Sequence, residues 1–145
     1  MKISIAADHG GFELKEKIVP FLKELGHTVL NRGTDSEASV DYPDYAIRVA
    51  RDIVSGEAER GIVMCGTGLG ISIAANRHKG IRAALVHSDE YAKLSRQHND
   101  ANVLAMGGRF TSFEDAKRFI ALFLETPFEG DRHVRRIKKI DSVEI

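Results

Sequence analysis

The chain has no excess charge of either sign and no long apolar run. Its 21 lysines and arginines balance 21 aspartates and glutamates, so it has no net charge that would attract a nucleic-acid backbone or an anionic membrane. Apolar runs such as residues 61–65 are far shorter than the roughly 20 residues that span a bilayer. Residues 1–5 are typical of a strand and not of a signal peptide. We therefore expect a cytoplasmic protein that binds a small neutral or anionic molecule, with no nucleic-acid or membrane partner.

Cysteine is nearly absent too. The single cysteine, Cys65, excludes an internal disulfide, which is typical of a protein from a reducing compartment. No pair of histidines has the helical spacing of a zinc motif, so we expect no metal and no metal-dependent hydride shift. A chain of 145 residues can bury a core of its own without such cross-links. We predict one domain over residues 1–145.

Strand-like and helix-like patterns alternate from end to end. The predicted strands cover residues 2–7, 27–30, 60–64, 81–86 and 102–106, and the predicted helices cover residues 12–25, 45–54, 71–76, 89–97 and 112–124. Right-handed crossovers return each helix across the sheet, so this alternation indicates parallel strands with helices on both faces. The sequence therefore predicts an α/β fold, a Rossmann-like three-layer α/β/α sandwich with a five-stranded parallel sheet.

Polar and glycine residues follow the predicted strands at the edge where open α/β sheets bind ligands. Asp8 and His9 follow the first strand, residues 65–70 the third, His87 the fourth and residues 107–109 the fifth. We expect these groups to lie close together. Asp8 and His9 also precede a helix, whose N-terminus attracts anions.

Residues 65–70 read Cys-Gly-Thr-Gly-Leu-Gly. Glycines between a strand and a helix let several N–H groups face one concavity, which stabilises an anion. A P-loop would need a lysine, and a cysteine-phosphatase loop would need an arginine within residues 66–75; neither is present. The dinucleotide pattern is matched only in part, because Ile71 replaces its third glycine, although Asp89 is suitably spaced to contact a ribose. A non-catalytic nucleotide-binding module therefore stays open as an alternative.

Two interpretations of Cys65 follow from its position. A lone cysteine that ends a core strand is most often a small packing residue. Beside a helix N-terminus and the glycine loop, however, its thiolate is favoured, and it could serve as a base. The same loop could then stabilise an enediolate oxygen, to which one such donor contributes about 3–4 kcal/mol in known enzymes.

A second set of polar residues is predicted away from this edge. His98 and Asn99 precede the fifth strand, at the opposite edge of the sheet, so His98 could reach such a site most simply in a neighbouring subunit. Arg132 and Arg136 lie one turn apart on a helix. They could clamp a phosphate, or they could form an ordinary solvated helix face.

Five blocks, in order along nearly the whole chain, closely resemble type B ribose-5-phosphate isomerases, whose family also includes allose-6-phosphate and galactose-6-phosphate isomerases. The matching blocks are residues 8–12 with Leu14 and Lys15, residues 39–45, residues 61–76, residues 95–104, and Arg132 and His133 with Arg136. The resemblance implies a cofactor-free interconversion of D-ribose 5-phosphate and D-ribulose 5-phosphate, a step of the pentose phosphate pathway, through a cis-enediolate. A six-carbon sugar phosphate remains the alternative substrate.

The resemblance also implies residue roles. Cys65 is the base that moves a proton between C1 and C2, and Thr67 assists proton transfer to the oxygens. Asp8 assists opening of the furanose ring together with His98 from the partner of a homodimer with shared active sites; whether dimers pair into tetramers stays open. The implied binding residues are His9, Arg109, Arg132 and Arg136 for the phosphate, Gly66, Gly68, Leu69 and Gly70 for the enediolate, and Tyr42 and Asn99 for the sugar.

One position departs from the family pattern. Asp131 stands where the family commonly has glycine before the arginine. A carboxylate here could weaken phosphate binding, but we expect it to point to solvent.

Overall fold

The computed structural model describes all 145 residues as alternating strands and helices. The elements are β1 Lys2–Ala7, α1 Phe12–Glu24, β2 Thr28–Asn31, α2 Tyr42–Val54, β3 Arg60–Cys65, α3 Leu69–Asn76, β4 Ala83–Leu85, α4 Asp89–Gln97, β5 Val103–Gly107, α5 Phe113–Glu125 and α6 Arg132–Asp141. None of the six helices combines the length and hydropathy needed to cross a bilayer.

The five strands form one parallel sheet in the order β2-β1-β3-β5-β4. Helices α1, α4 and α5 contribute to the core on one face, and α2 and α3 contribute to the core on the other. The predicted three-layer α/β/α sandwich is confirmed. All strands end at the same edge of the sheet, which brings together the loops that follow them.

Alternate residues of the central strands face opposite layers, because side chains on a strand alternate in direction. Ile5 belongs to the larger core, which also holds the aromatic ring of Phe123. Ala6 and Cys65 belong to the smaller core, built mostly of alanine and valine against α2 and α3. Such small residues let α2 and α3 lie close to the sheet, so the starts of both helices are near the end of β3.

The helix starts differ from the sequence prediction at two places near that edge. Helix α2 begins at Tyr42 and not at residue 45, with Pro43 in its first turn, a position that suits proline because its missing N–H is not needed there. Helix α3 begins at Leu69, directly after Gly68. Helix α5 is capped by Ser112, whose Oγ accepts from the Asp115 N–H at 3.1 Å.

A partly buried ion pair joins β1, the end of β2 and α2. The buried carboxylate of Asp52 accepts from Ser4 Oγ at 2.6 Å and from Arg32 Nε and Nη2 at 2.7 and 3.0 Å. Burial alone would raise the pKa of Asp52, but the hydrogen bonds from Arg32 and Ser4 hold it below its usual value of 3.8. The ionised carboxylate therefore stabilises the folded chain.

We expect Asp52→Asn to lower the free energy of unfolding at pH 7 by about 1–2 kcal/mol, because Arg32 loses its partner but is partly exposed to water. The wild-type contribution is present above pH 3.8 and is lost as the pH falls through the lowered pKa of the folded state. Urea unfolding between pH 3 and 7 measures both effects. Asp44→Asn, at an exposed position of α2, is the control. If the free energy of unfolding of Asp52→Asn falls with pH in parallel with that of the wild type between pH 3 and 4, the lowered pKa of Asp52 is contradicted.

Candidate active site

The loops after β1, β3 and β5 converge at the carboxyl edge of the sheet. Gly108 N–H donates to the Cys65 carbonyl at 2.8 Å, and Arg109 N–H donates to the Gly66 carbonyl at 3.0 Å. The loop after β1 is equally close to the loop after β3, because a Cβ added to Gly10 would lie 2.8 Å from Gly66 N. Only backbone fits between these loops, so the groups that they carry lie side by side.

The thiol of Cys65 stands at the centre of this edge. Cys65 ends β3 with 5% of its surface exposed, and its Sγ accepts a hydrogen bond from Gly68 N–H at 3.2 Å. Gly68 has φ 79°, and a Cβ there would lie 2.7 Å from the carbonyl carbon of Met106, so only glycine fits this turn. A backbone donor at this distance stabilises negative charge on the sulfur.

Asp8 and His9 are both held by backbone N–H groups. Asp8 is buried, and its Oδ1 accepts from Gly10 N–H at 2.8 Å and Gly11 N–H at 3.3 Å, which leaves Oδ2 without a hydrogen bond. His9 Nδ1 accepts from Val40 N–H at 3.2 Å. In the neutral imidazole the proton is therefore on Nε2. His9 thus offers a donor, and Asp8 offers a free acceptor.

The glycine loop is covered by an aromatic ring from α2. Tyr42 packs on Gly70, where a Cβ would lie 2.6 Å from Tyr42 Cζ. Thr67 Oγ1 accepts from Leu69 N–H at 3.1 Å, so its hydroxyl proton is free to be donated elsewhere. The early start of α2 is what brings Tyr42 over the loop.

A positive charge lies beside the same loop. The exposed side chain of Arg109 crosses Gly66, where a Cβ would lie 3.0 Å from Nη1. His87, also exposed, follows β4 and packs against Tyr91 with 5.2 Å between ring centroids. One chain therefore gathers a thiol, a carboxylate, an imidazole donor and a guanidinium around an N–H-rich loop.

The other predicted site residues form a second group, made of His98, Asn99, Arg132 and Arg136. His98 follows the last turn of α4, and the Asn99 carbonyl accepts from Arg82 Nε at 3.1 Å. The guanidinium of Arg82 also pairs with Asp141 at the end of α6, at 3.0 Å. Helix α6 is thus fixed beside the amino ends of β4 and β5.

The two groups lie at opposite ends of the sheet. Cys65 pairs with Gly107, the last residue of β5, whereas His98 and Asn99 precede Val103, its first residue. Gly107 is four positions after Val103, a rise of about 13 Å along the strand. A single chain does not bring His98 to Cys65.

His98 and Asn99 line a cavity of about 380 Å³ together with residues of β4 and α4, including Leu85 and Tyr91. A cavity of about 630 Å³ lies beside α2, is lined in part by Asp52 and contains none of the predicted site residues. The surface near His98 is therefore concave.

Residues 3–140 match the family model described as Ribose/Galactose Isomerase. The chain belongs to this family. It is 48% identical to ribose-5-phosphate isomerase B of Escherichia coli, over 99% of this chain and 96% of that protein. Among solved structures, the ribose 5-phosphate isomerase of Thermotoga maritima is 56% identical with a TM-score of 0.96 over 98% of both chains. That of Clostridium thermocellum is 50% identical with the same TM-score, over 97% of this chain and 95% of that one. The chain is an isomerase.

Sequence reasoning missed two contacts of the isomerase. Nothing in the sequence indicated that Val40 N–H would bond His9, since the two residues are 31 positions apart. Nor did it indicate that His133 would stack on His98. His133 belongs to a matching family block, but only the placement of α6 reveals its neighbour.

Asp131 has a strained backbone conformation. Asp131 has φ 52° and ψ −129° at the N-cap of α6, makes no side-chain capping bond and is exposed. Glycine adopts such a conformation freely, whereas for an L-residue it costs about 1–3 kcal/mol. The residue that departs from the family pattern therefore stands where glycine suits the backbone.

We expect Asp131→Gly to raise the free energy of unfolding by about 1 kcal/mol, because relief of strain outweighs the larger entropy of the unfolded glycine chain. The KM should change less than tenfold, since the carboxylate is exposed. Thermal and urea unfolding measure the gain. Asp41→Gly is the matched control, an uncapped N-cap aspartate at φ −94°; an equal gain there, or a tenfold drop in KM for Asp131→Gly, would contradict this account.

Proposed function

We propose that the chain interconverts D-ribose 5-phosphate and D-ribulose 5-phosphate through a cis-enediolate, with Cys65 as the base, in a homodimer with shared active sites. The names of the Escherichia coli and Thermotoga maritima relatives support the substrate. The observation that carries the chemistry is the bond from Gly68 N–H to Cys65 Sγ at 3.2 Å, within a loop of further N–H donors.

Proton transfer needs a base and a place for negative charge. The Cys65 thiolate takes the proton from C2 of the open aldose, and the electron pair moves to the C1 carbonyl oxygen, which becomes the enediolate oxygen. The N–H groups of Gly66 and Gly70 donate no backbone hydrogen bond and suit that oxygen. Thr67 moves the hydroxyl proton between O2 and O1, and the thiol then returns its proton to C1 to give the ketose.

Ring opening and phosphate binding use groups from both chains. Asp8 Oδ2 accepts the proton of the anomeric hydroxyl, and His98 of a second copy donates a proton to the ring oxygen. Arg132 and Arg136 accompany His98, because α6 and the end of α4 are fixed to each other in one chain. They hold the phosphate together with His9 and Arg109 of the first copy. Tyr42 and Asn99 line the sugar.

The alternative of a nucleotide-binding module has less support. Asp89, its ribose-binding candidate, pairs with Arg118 at 3.3 Å on the surface, and Ile71 is fully buried where the dinucleotide pattern needs glycine. Six-carbon sugar phosphates are tested by assaying ribose 5-phosphate, allose 6-phosphate and galactose 6-phosphate side by side. We expect the highest kcat/KM with ribose 5-phosphate; a higher value with either hexose phosphate would reassign the substrate.

We expect Cys65→Ala to lower kcat by about a thousandfold or more, because the proposed mechanism loses the base that takes the proton of C2. Ribose 5-phosphate should still bind, since the phosphate groups are unchanged; calorimetry measures binding and ketose formation measures turnover. Cys65→Ser, which keeps the shape but is a far weaker base, is the matched control. Turnover above a tenth of wild type in Cys65→Ala would exclude the thiol as the base.

Mixed dimers test whether the sites are shared. In a dimer of one Cys65→Ala chain and one His98→Asn chain, one site has both changes and the other has none. After subunit exchange at equal amounts, half of the dimers are mixed and activity should return to about a quarter of wild type. Each variant exchanged with itself is the control. If the mixture is no more active than the two variants apart, Cys65 and His98 do not act across subunits.

A further inference from the structure

The imidazole of His98 has a second histidine against its face. The His98 and His133 rings are 4.5 Å apart between centroids and 17° from parallel. His133 lies in the first turn of α6 with 4% of its surface exposed, and Phe128 flanks its ring at 6.4 Å. The His98 side chain has no hydrogen bond to the chain, so this stack is the contact that sets the plane of its ring.

This pair and Glu129 could be mistaken for a metal site. One ligand atom each from His98, Glu129 and His133 lie within 4.8 Å of one another. Imidazole lone pairs lie in the ring plane, however, and the planes of these two rings are nearly parallel. The nitrogens therefore do not converge on one ion in the tetrahedral geometry that zinc requires.

An uncharged His133 ring is compatible with stacking on His98. Its Nε2 is buried and has no hydrogen bond, and Glu129 Oε2 is 3.8 Å away. Burial, then the positive charge of Arg132 and the neighbouring His98, lower the pKa of His133 below 6.5, against the opposing effect of Glu129. His133 is neutral at pH 7, so it does not repel a proton on the His98 ring.

We propose that His133 is a positioning residue for His98: its buried imidazole holds the His98 ring by its face and leaves both His98 nitrogens free for the substrate. This inference rests on the proposed function, in which His98 assists opening of the furanose ring. A face contact fixes the plane of the ring without occupying either nitrogen, as a hydrogen bond would.

Substitutions of His133 test whether its flat aromatic face, and not only its volume, supports turnover. We expect His133→Ala to lower kcat with ribose 5-phosphate about 10- to 100-fold, less than the roughly 10²–10⁴-fold that one acid–base group contributes, because His98 itself is still present, with KM changed less than about threefold. His133→Phe keeps an aromatic face and should stay within about threefold of wild type. His133→Leu fills most of the volume without a flat face, so it should lose turnover as His133→Ala does. The leucine variant therefore separates loss of the aromatic face from any destabilisation of the fold by the small alanine side chain. His78→Ala, outside the stack, is the control. Full activity of His133→Ala or His133→Leu, or equal losses in Phe and Leu, would overturn the proposal.

A double-mutant cycle shows whether His133 acts through His98. If it does, His98→Asn and the His98→Asn/His133→Ala double variant have the same kcat within about twofold. A loss from His133→Ala that is as large in the His98→Asn background as in wild type would overturn the positioning role and leave the proposed function intact. Wild-type turnover in His98→Asn would instead remove His98 from the mechanism, and the positioning role with it.

Discussion

The backbone of Gly68 is the constraint on which the site depends. Its left-handed conformation turns the chain sharply between β3 and α3, directs an N–H group at the Cys65 sulfur and starts the helix at the next residue. The turn is packed against β4 and β5, since a Cβ here would lie 2.6 Å from Leu85 Cδ1 and 2.7 Å from the Met106 carbonyl carbon. Strands β3, β4 and β5 and the thiol are therefore positioned around the same residue.

The parallel topology explains why the functional groups of one chain form two sets. Each strand ends at the carboxyl edge, and each helix must return the chain to the amino edge before the next strand begins. Residues at strand ends therefore gather around Cys65, whereas residues at helix ends, such as His98, gather at the amino edge. The loops that carry the two sets are too short to bring them together within one chain. In the proposed function both sets belong to one active site, so a second copy supplies the set that the first copy carries at its other edge.

The features predicted from sequence were those set by local pattern. The alternation of strands and helices predicted the layers, and the rule that ligands bind at strand ends predicted the group of Asp8, Cys65 and Arg109. The start of α2 was missed because Tyr42 and Pro43 precede the amphipathic run, and the first turn of a helix does not need that pattern. The stack of His133 on His98 depends on how α6 docks across a separation of 35 positions, which no local pattern encodes. The edge positions of the site were predictable, and its long-range contacts were not.

The two interpretations of Cys65 describe one residue. Its side chain belongs to the core of alanines and valines beneath α2 and α3, so it is a packing residue of the kind that a lone cysteine usually is. A larger side chain at the end of β3 would push α2 and α3 outward and move Tyr42 off Gly70. The small thiol keeps both helices close, and their starts then form the walls around its sulfur. Packing and the proposed chemistry require the same small side chain here, and the thiol also has a sulfur that can carry negative charge beside the Gly68 N–H.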